Sequence, residues 1–316
     1  MADIKFFDLF AGIGGFRMGL ENTGHEAVGW CESDNFAQKS YKNIYNTEGE
    51  YFNEDARKIK PKELPDFDIL TAGFPCQSFS IAGKRKGFEN IRGTLFFEIA
   101  RIAREKLPKI LLLENVKGLL NHSNGKTFLK ILQTLDELGY DAEWQVLNSK
   151  HFGVPQNRER VFIVGHLRGK SSRQIFPIRR KTKGTLKQNI GGSQGYRVYD
   201  PSGTSCTLAG EAGGLGAKTG LYNVKIIDDY NGNYTSIFGA VRQTNGNKAL
   251  RNGIKLQIKD RIRKLTPKEC WRLQGFPDWV FEKAAKVNSD NQLYRQAGNS
   301  VTVNVIEAIG ERLQDK

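Results

Sequence analysis

Four short apolar runs set the frame: Lys5-Phe6-Phe7-Asp8-Leu9-Phe10, Ala27-Val28-Gly29-Trp30-Cys31, Asp68-Ile69-Leu70-Thr71-Ala72 and Ile110-Leu111-Leu112-Leu113. Each has the length and residue choice of a buried strand. The segments between them carry apolar residues at helix spacing, as in Leu95, Phe96, Ile99, Ile102 and Ala103. Strands alternating with helical stripes predict an α/β chain built on an open sheet. In such sheets ligands bind just past the C-terminal ends of the strands. The residues that follow each run are therefore the place to look for chemistry.

The first run leads into Ala11-Gly12-Ile13-Gly14-Gly15-Phe16, a glycine-rich turn, with a helix opening at Arg17. The second run ends at Glu32, 20 residues after Gly12. A glycine turn after strand one and an acid closing strand two make a nucleoside site, the acid accepting ribose hydroxyls. The pattern is not G-x-G-x-x-G, because Arg17 stands where the third glycine would be. That disfavours a dinucleotide pyrophosphate and favours a nucleoside without phosphates, such as S-adenosylmethionine. Glycine turns also arise for packing alone. Asp55, in Tyr51-Phe52-Asn53-Glu54-Asp55, brings a second acid suited to the adenine.

After the third run comes Gly73-Phe74-Pro75-Cys76-Gln77-Ser78. Pro75 stiffens the backbone before the thiol. Glycines at 83, 87 and 93 then punctuate a polar loop carrying Lys84, Arg85, Lys86 and Arg92. A rigid thiol before a basic, hinged loop suits a nucleophile that is covered once an anionic substrate binds. A buried, inert cysteine is the commoner fate of a lone Cys, but Pro-Cys-Gln-Ser in a polar loop is not a core pattern. The fourth run delivers Glu114-Asn115-Val116. A carboxylate there costs free energy unless paired. Its desolvation raises its pKa and suits a proton donor; a helix cap is the plainer alternative. Residues 144–148 and 161–165 read as a hairpin-like strand pair, with Gln156-Asn157-Arg158-Glu159-Arg160 between them. Arg158 and Arg160 alternate, so both can face one cleft and grip an oxygen bidentately. A solvated charged loop is the alternative.

Beyond Gly165 the composition shifts. Residues 168–188 are rich in Lys, Arg, Ser and Thr, and 189–253 in Gly, Asn and Thr with short β-like runs. This predicts a small, loop-rich β unit. A helix starts at Pro267, and Gln296-Ala297-Gly298-Asn299-Ser300-Val301 turns into a last helix running to Leu313. The 48 Lys+Arg against 34 Asp+Glu leave +14, a charge that fits a polyanionic partner such as nucleic acid. Cysteines at 31, 76, 206 and 270 lack metal or disulfide spacing and suit a reducing cytoplasm. The start, Met1-Ala2-Asp3-Ile4-Lys5, leads straight into a strand without a signal peptide, and no run is apolar enough for a membrane span.

Taken in order, these motifs resemble those of the DNA (cytosine-5)-methyltransferases of bacterial restriction–modification systems. Asp8 to Phe16 resembles the first motif, Gly73 to Gln77 the nucleophile motif and Glu114-Asn115-Val116 the proton-donor motif. Gln156 to Arg160 resembles the arginine motif, Arg263 to Pro277 the penultimate motif and Gly298-Asn299-Ser300-Val301 the last. The resemblance spans nearly the whole chain. It implies a Rossmann-like S-adenosylmethionine-dependent sheet with a smaller target-recognition domain. The large domain would then be discontinuous, 1–178 with 288–316, and 179–287 would be the small recognition domain with its hinge. It implies Cys76, Glu114, Arg158 and Arg160 as catalytic. Phe10, Gly12, Gly15, Glu32, Asp55, Pro75, Leu95, Asn299 and Val301 would line the cofactor, and no metal is needed. Lys84, Arg85, Arg92, Gln194, Arg197 and Thr207 would meet DNA, Gln194 filling the space of a flipped base and Arg197 reading a base edge. The product would be S-adenosyl-L-homocysteine, and the enzyme a cytoplasmic monomer protecting DNA from a cognate restriction endonuclease. Two departures from one member of this family stand out: Ala82 stands where that member has a serine in the mobile loop, and roughly 225–258 look like an insertion that it lacks. The insertion leaves the target sequence open. An RNA cytosine-5 methyltransferase of the same fold is the nearest alternative. A non-catalytic DNA-binding regulator predicts damaged motifs, and a nicotinamide enzyme is disfavoured by Arg17 and Cys76.

Overall fold

The computed structural model describes residues 4–74, 95–170, 173–179, 188–190, 198–199, 208, 221–225, 260–263 and 265–313. Pro75, Cys76, Lys84, Arg85, Arg92, Gln194, Arg197, Thr207 and the bulk of the proposed insertion lie outside the described residues. The N-terminal half runs β1 (Lys5–Leu9), α1 (Gly15–Glu21), β2 (Glu26–Cys31), α2 (Asn35–Ile44), β3 (Tyr51–Asn53), β4 (Ile69–Gly73), α3 (Leu95–Lys106), β5 (Ile110–Val116), α4 (Lys126–Glu137), β6 (Tyr140–Asn148) and β7 (Glu159–Leu167). These strands form one seven-stranded sheet in the order β3-β2-β1-β4-β5-β7-β6. The first five are parallel. β7 runs antiparallel to both β5 and β6, so the hairpin read from 144–165 closes one edge.

Strand geometry explains the two cores. Successive side chains leave opposite faces. Phe7, Leu9, Leu70, Ala72, Leu111 and Leu113 go to one face, against Phe96, Ile99 and Ile131 of α3 and α4. Phe6, Ile69, Ile110 and Leu112 go to the other, against Phe16 and Leu20 of α1. Both faces being covered, the central strands are mostly apolar rather than alternating, with Asp8 of β1 and Thr71 of β4 buried among them and Thr71 Oγ1 donating to Asp8 Oδ1 at 2.8 Å.

The C-terminal segment holds α5 (Pro267–Leu273), α6 (Asp278–Ala285), α7 (Asp290–Asn299) and α8 (Val303–Leu313). α5 starts at Thr266, whose hydroxyl accepts from the Glu269 N–H while Glu269 reaches back to the Thr266 N–H, a capping box ahead of Pro267. Val305, Ile306 and Ile309 of α8 share the second core with Phe16 and Leu20. Gly19 makes this approach feasible: a Cβ there would sit 2.5 Å from Ile306 Cβ.

One sequence expectation needs correction. Residues 296–299, read as a turn, are the last turn of α7, and the break falls at Ser300 instead. The resemblance placed the end of the recognition domain, hinge included, at 287. Yet Cys270, Trp271, Phe276, Val280 and Ala284 share a buried cluster with Ala11, Ile13, Trp30, Tyr41 and Ile44. α5 and α6 therefore pack on the N-terminal helices, and Leu265 packs against the same cluster. Upstream, β8 (Gln188–Ile190), β9 (Val198–Tyr199), β10 (Leu221–Lys225) and β11 (Asp260–Arg263) form a second sheet in the order β11-β10-β9-β8.

Candidate active site

β1, β2, β4 and β5 end together, because they are parallel neighbours in register. Their C-terminal residues form one edge. Past β1 the chain turns through Phe10 (φ 60°), Gly12 (φ 57°) and Gly14 (φ 81°), all left-handed. At Gly14 a Cβ would lie 2.4 Å from the Tyr45 ring, and Tyr45 Oη donates to Gly14 O at 2.8 Å. At Gly15 it would lie 2.7 Å from both Ser300 Oγ and Val301 Cγ2. The last motif thus closes on the first turn through a contact only glycine allows.

Glu32 does more than end β2. Its Oε2 accepts the Gly12 N–H at 2.8 Å and its Oε1 the Asp34 N–H at 2.7 Å. Burial pushes this carboxyl up, and the N–H groups of Asp34, Gly12 and Ser33 pull it back. Spacing suggested a ribose acceptor; the structure adds that the acid holds the turn in shape. Among the described residues, no atom beyond its chain neighbours lies within 4 Å of a Cβ built on Gly12. Asp55 is turned to local work. Arg57 grips it through Nε and Nη2, each at 2.9 Å, and holds it below the usual carboxylate range. Arg17, the residue that broke the glycine pattern, points away from this edge into a buried cluster with Glu21, Glu50 and the Tyr45 ring.

Glu114 is the buried acid at the end of β5. Its Oε1 pairs with Arg160 Nε at 3.0 Å, the two side chains being 11% and 16% exposed. Burial raises the Glu114 pKa; Arg160, then Arg158, oppose the rise. Register explains the pairing: Glu114 lies opposite Phe162 and Val116 opposite Arg160, so the two charges are diagonal neighbours on one face. The next residue, Asn115, was not singled out from sequence. Its Nδ2 donates to Phe74 O at 2.7 Å, and the Phe74 N–H donates to Glu114 O at 3.3 Å. This clamps the peptide that immediately precedes Pro75, two residues from Cys76.

Arg158 does not share the position of Arg160. It is buried, and its Nη atoms donate to Leu208 O at 3.1 Å, Gly298 O at 2.9 Å and Ser300 O at 2.8 Å. Alternation gave both arginines the same face, but the guanidinium of Arg158 is spent on backbone carbonyls. Leu95 opens α3 half-buried; Val301 is buried, and Asn299 is exposed at the end of α7. Two other thiols are poor nucleophiles: Cys270 is buried, and burial pushes Cys31 up to about 12. Among the described residues there is no cluster of three metal-ligating side chains and no helix long and apolar enough to cross a membrane.

Residues 4–315 match the family described as C-5 cytosine-specific DNA methylase. The chain is 42% identical over 321 residues to the Type II methyltransferase M.SsoII of Shigella sonnei, covering 98% of this chain and 79% of that one. Against the Type II methyltransferase M.HhaI of Haemophilus parahaemolyticus it is 36% identical over 348 residues, covering 98% and 94%. Among solved structures, the Entamoeba histolytica methyltransferase EhMeth matches with a TM-score of 0.69 at 18% identity, covering 99% of this chain and 98% of that one. At that identity the likeness speaks for the fold.

Proposed function

The chain belongs to the C-5 cytosine-specific DNA methylases, and on that footing we propose how its own residues carry a methyl group to C5 of a cytosine in DNA. Enzymes of this kind draw the methyl from S-adenosylmethionine, which when bound supplies an electrophilic carbon. The residues present fit such a group. Space beside the Gly12 Cα is open among the described residues, and Glu32, which accepts the Gly12 and Asp34 N–H groups, would turn remaining lone pairs to ribose hydroxyls. Phe10, Gly12, Gly15 and Val301 would wall the site, with Pro75, Leu95 and Asn299 beside it. Asp55 would take the adenine amine through a lone pair that Arg57 leaves free.

Cytosine C5 is a weak nucleophile. The Cys76 thiolate adds to C6, forming the S–C6 bond and pushing the C5–C6 electron pair onto C5. Glu114 holds N3, protonated or hydrogen-bonded, and Arg160 holds O2, so charge arriving on the ring is stabilised. Once C5 is methylated, loss of its proton to water restores the double bond as the S–C6 bond breaks. The carrying observation is the buried Glu114–Arg160 pair beside the clamped peptide that leads to Cys76. A raised carboxyl next to a fixed guanidinium is a donor–donor pair matched to N3 and O2 of one base.

The base must leave the stack to reach this site, at a cost of a few kcal/mol. Lys84, Arg85 and Arg92, with Gln194, Arg197 and Thr207, would hold the opened duplex. The recognition unit would begin near residue 179 and end before Leu265, since α5 and α6 pack with the catalytic core. Its relatives' names support a place in a restriction–modification pair: the chain would act in the cytoplasm as a monomer, its methyl group blocking a cognate endonuclease. A duplex carrying 5-fluorocytosine at the target tests the reading. Fluorine cannot leave as a cation, so the adduct should survive denaturing electrophoresis and map to Cys76, and Cys76→Ala should abolish it. An adduct at Cys31, Cys206 or Cys270 overturns the mechanism.

A further inference from the structure

Gln156 and Arg158 join stretches of chain that are far apart in sequence. Arg158 donates to the carbonyls of Leu208, Gly298 and Ser300. Gln156 is fully buried; its Oε1 accepts the Leu208 N–H at 3.3 Å and its Nε2 donates to Leu273 O at 2.8 Å. Leu208 thus has both peptide groups held, and its side chain is buried in the cluster that contains Trp271 and Ala297. Gln274 extends the array: its Nε2 donates to Ala297 O at 2.6 Å, and its Oε1 accepts from Thr302 Oγ1 at 2.9 Å. One connected polar array therefore runs from Leu208 to both flanks of the segment bearing Asn299 and Val301.

Stability does not call for such an arrangement. A guanidinium in a core is costly, and burial pushes Arg158 down to about 9. An apolar side chain of similar volume would pack there more cheaply. What a buried polar array adds is a fixed register between its ends, even with Arg158 Nε left unpaired among the described residues. Peptide 208 cannot shift without disturbing the bonds at 298 and 300.

We infer that Gln156 and Arg158 are positioning residues that couple target engagement at 207–208 to cofactor engagement at 299–301. This rests on the functional reading above, which puts Thr207 at the DNA and Asn299 and Val301 at the cofactor. Coupling of this kind is reciprocal, so duplex binding must tighten cofactor binding by the same factor that cofactor tightens DNA.

The test is equilibrium dialysis of radiolabelled S-adenosyl-L-homocysteine against the full chain, with and without an unmethylated plasmid that the wild type methylates. The wild type should bind the nucleoside about fivefold or more tighter with plasmid present. Arg158→Lys keeps the charge but cannot reach three carbonyls, and Gln156→Met keeps the volume but loses every bond. In each, the plasmid effect should fall to within about twofold of none, while each partner still binds alone. If Arg158→Lys does not fold, Gln156→Met decides. Tyr140→Phe, which loses one buried bond to Pro108 O away from the array, should keep the full effect. A wild type without the effect, variants that retain it, or equal loss in Tyr140→Phe would overturn the inference and leave the functional reading standing. A wild type that binds neither partner would overturn both.

Discussion

Replacing Arg160 by leucine should destabilise the protein by an amount that grows with pH. In the folded chain burial raises the Glu114 carboxyl above its ordinary 4.5, and Arg160 opposes that rise. A carboxyl raised by folding binds its proton more tightly folded than unfolded. Well below pH 4.5 it is neutral in both states and adds no pH dependence; stability is then lost as pH climbs towards the folded-state pKa, where the loss levels off. Without Arg160 the carboxyl rises further and the loss continues to higher pH. The gap between variant and wild type should therefore be small near pH 4.5. It should widen by up to about 1.4 kcal/mol per pH unit. Two charges about 4 Å apart at an effective dielectric near 20 interact by roughly 4 kcal/mol, which caps the gap. The Arg160 Nη1 bond to Glu159 O adds a small offset independent of pH. Urea unfolding of both proteins from pH 4.5 to 8 measures this, and repeating it in a Glu114→Gln background should flatten the curve. A gap that is constant with pH, or largest in acid, refutes the assignment of Glu114 as the titrating partner.

Asn115→Ala removes the clamp on Phe74 O, and losing one buried bond of about 1–3 kcal/mol should slow single-turnover methylation by about one to two orders of magnitude while DNA affinity holds; an unchanged rate would free Cys76 from this residue. Gly15→Ala forces a methyl to 2.7 Å from Ser300 and Val301 and should cost about 1–3 kcal/mol, read as a lower Tm, and an unshifted melt would contradict the close approach. Glu32→Ala should weaken S-adenosyl-L-homocysteine binding by roughly 1–3 kcal/mol in calorimetry; equal affinity in a folded variant removes Glu32 from the site. Arg197→Ala should cost about 1–3 kcal/mol of discrimination between sites, whereas equal losses at every site would make it a phosphate contact.

The apolar runs were enough to place the central strands, because a strand buried on both faces has no polar alternation to obscure it. The hairpin of β6 and β7 was legible from two β-rich runs, although β6 is half-exposed and the link between them buries Phe152 and Val154. Helices α6 and α7 were harder. Gly298 and Asn299 carry turn chemistry, yet Gly298 is buried in a helix that tertiary packing sustains. The charged residues divide in the same way. Glu114 could be found from its place after Leu113, a local fact. The work of Arg158 could not, since its partners lie 50, 140 and 142 residues away and are backbone carbonyls that carry no side-chain signature. Glu32 was found by spacing, but its grip on Gly12 depends on how the turn bends back.

The meeting of Gly15 with Val301 also sets a timetable. The turn that shapes the nucleoside site is made early in synthesis, but its far wall is 286 residues later (301 − 15). At about 5–20 residues per second that wall follows the turn by roughly 15–60 s. Until then α1 exposes Phe16 and Leu20, the surface that α8 will cover. The nascent chain should therefore be unable to bind its nucleoside, and most open to chaperones, over that interval. Ribosome-bound chains arrested before and after residue 301 emerges would show it. Only the longer ones should retain S-adenosyl-L-homocysteine, and binding by the shorter ones would mean that the first turn closes without its last partner.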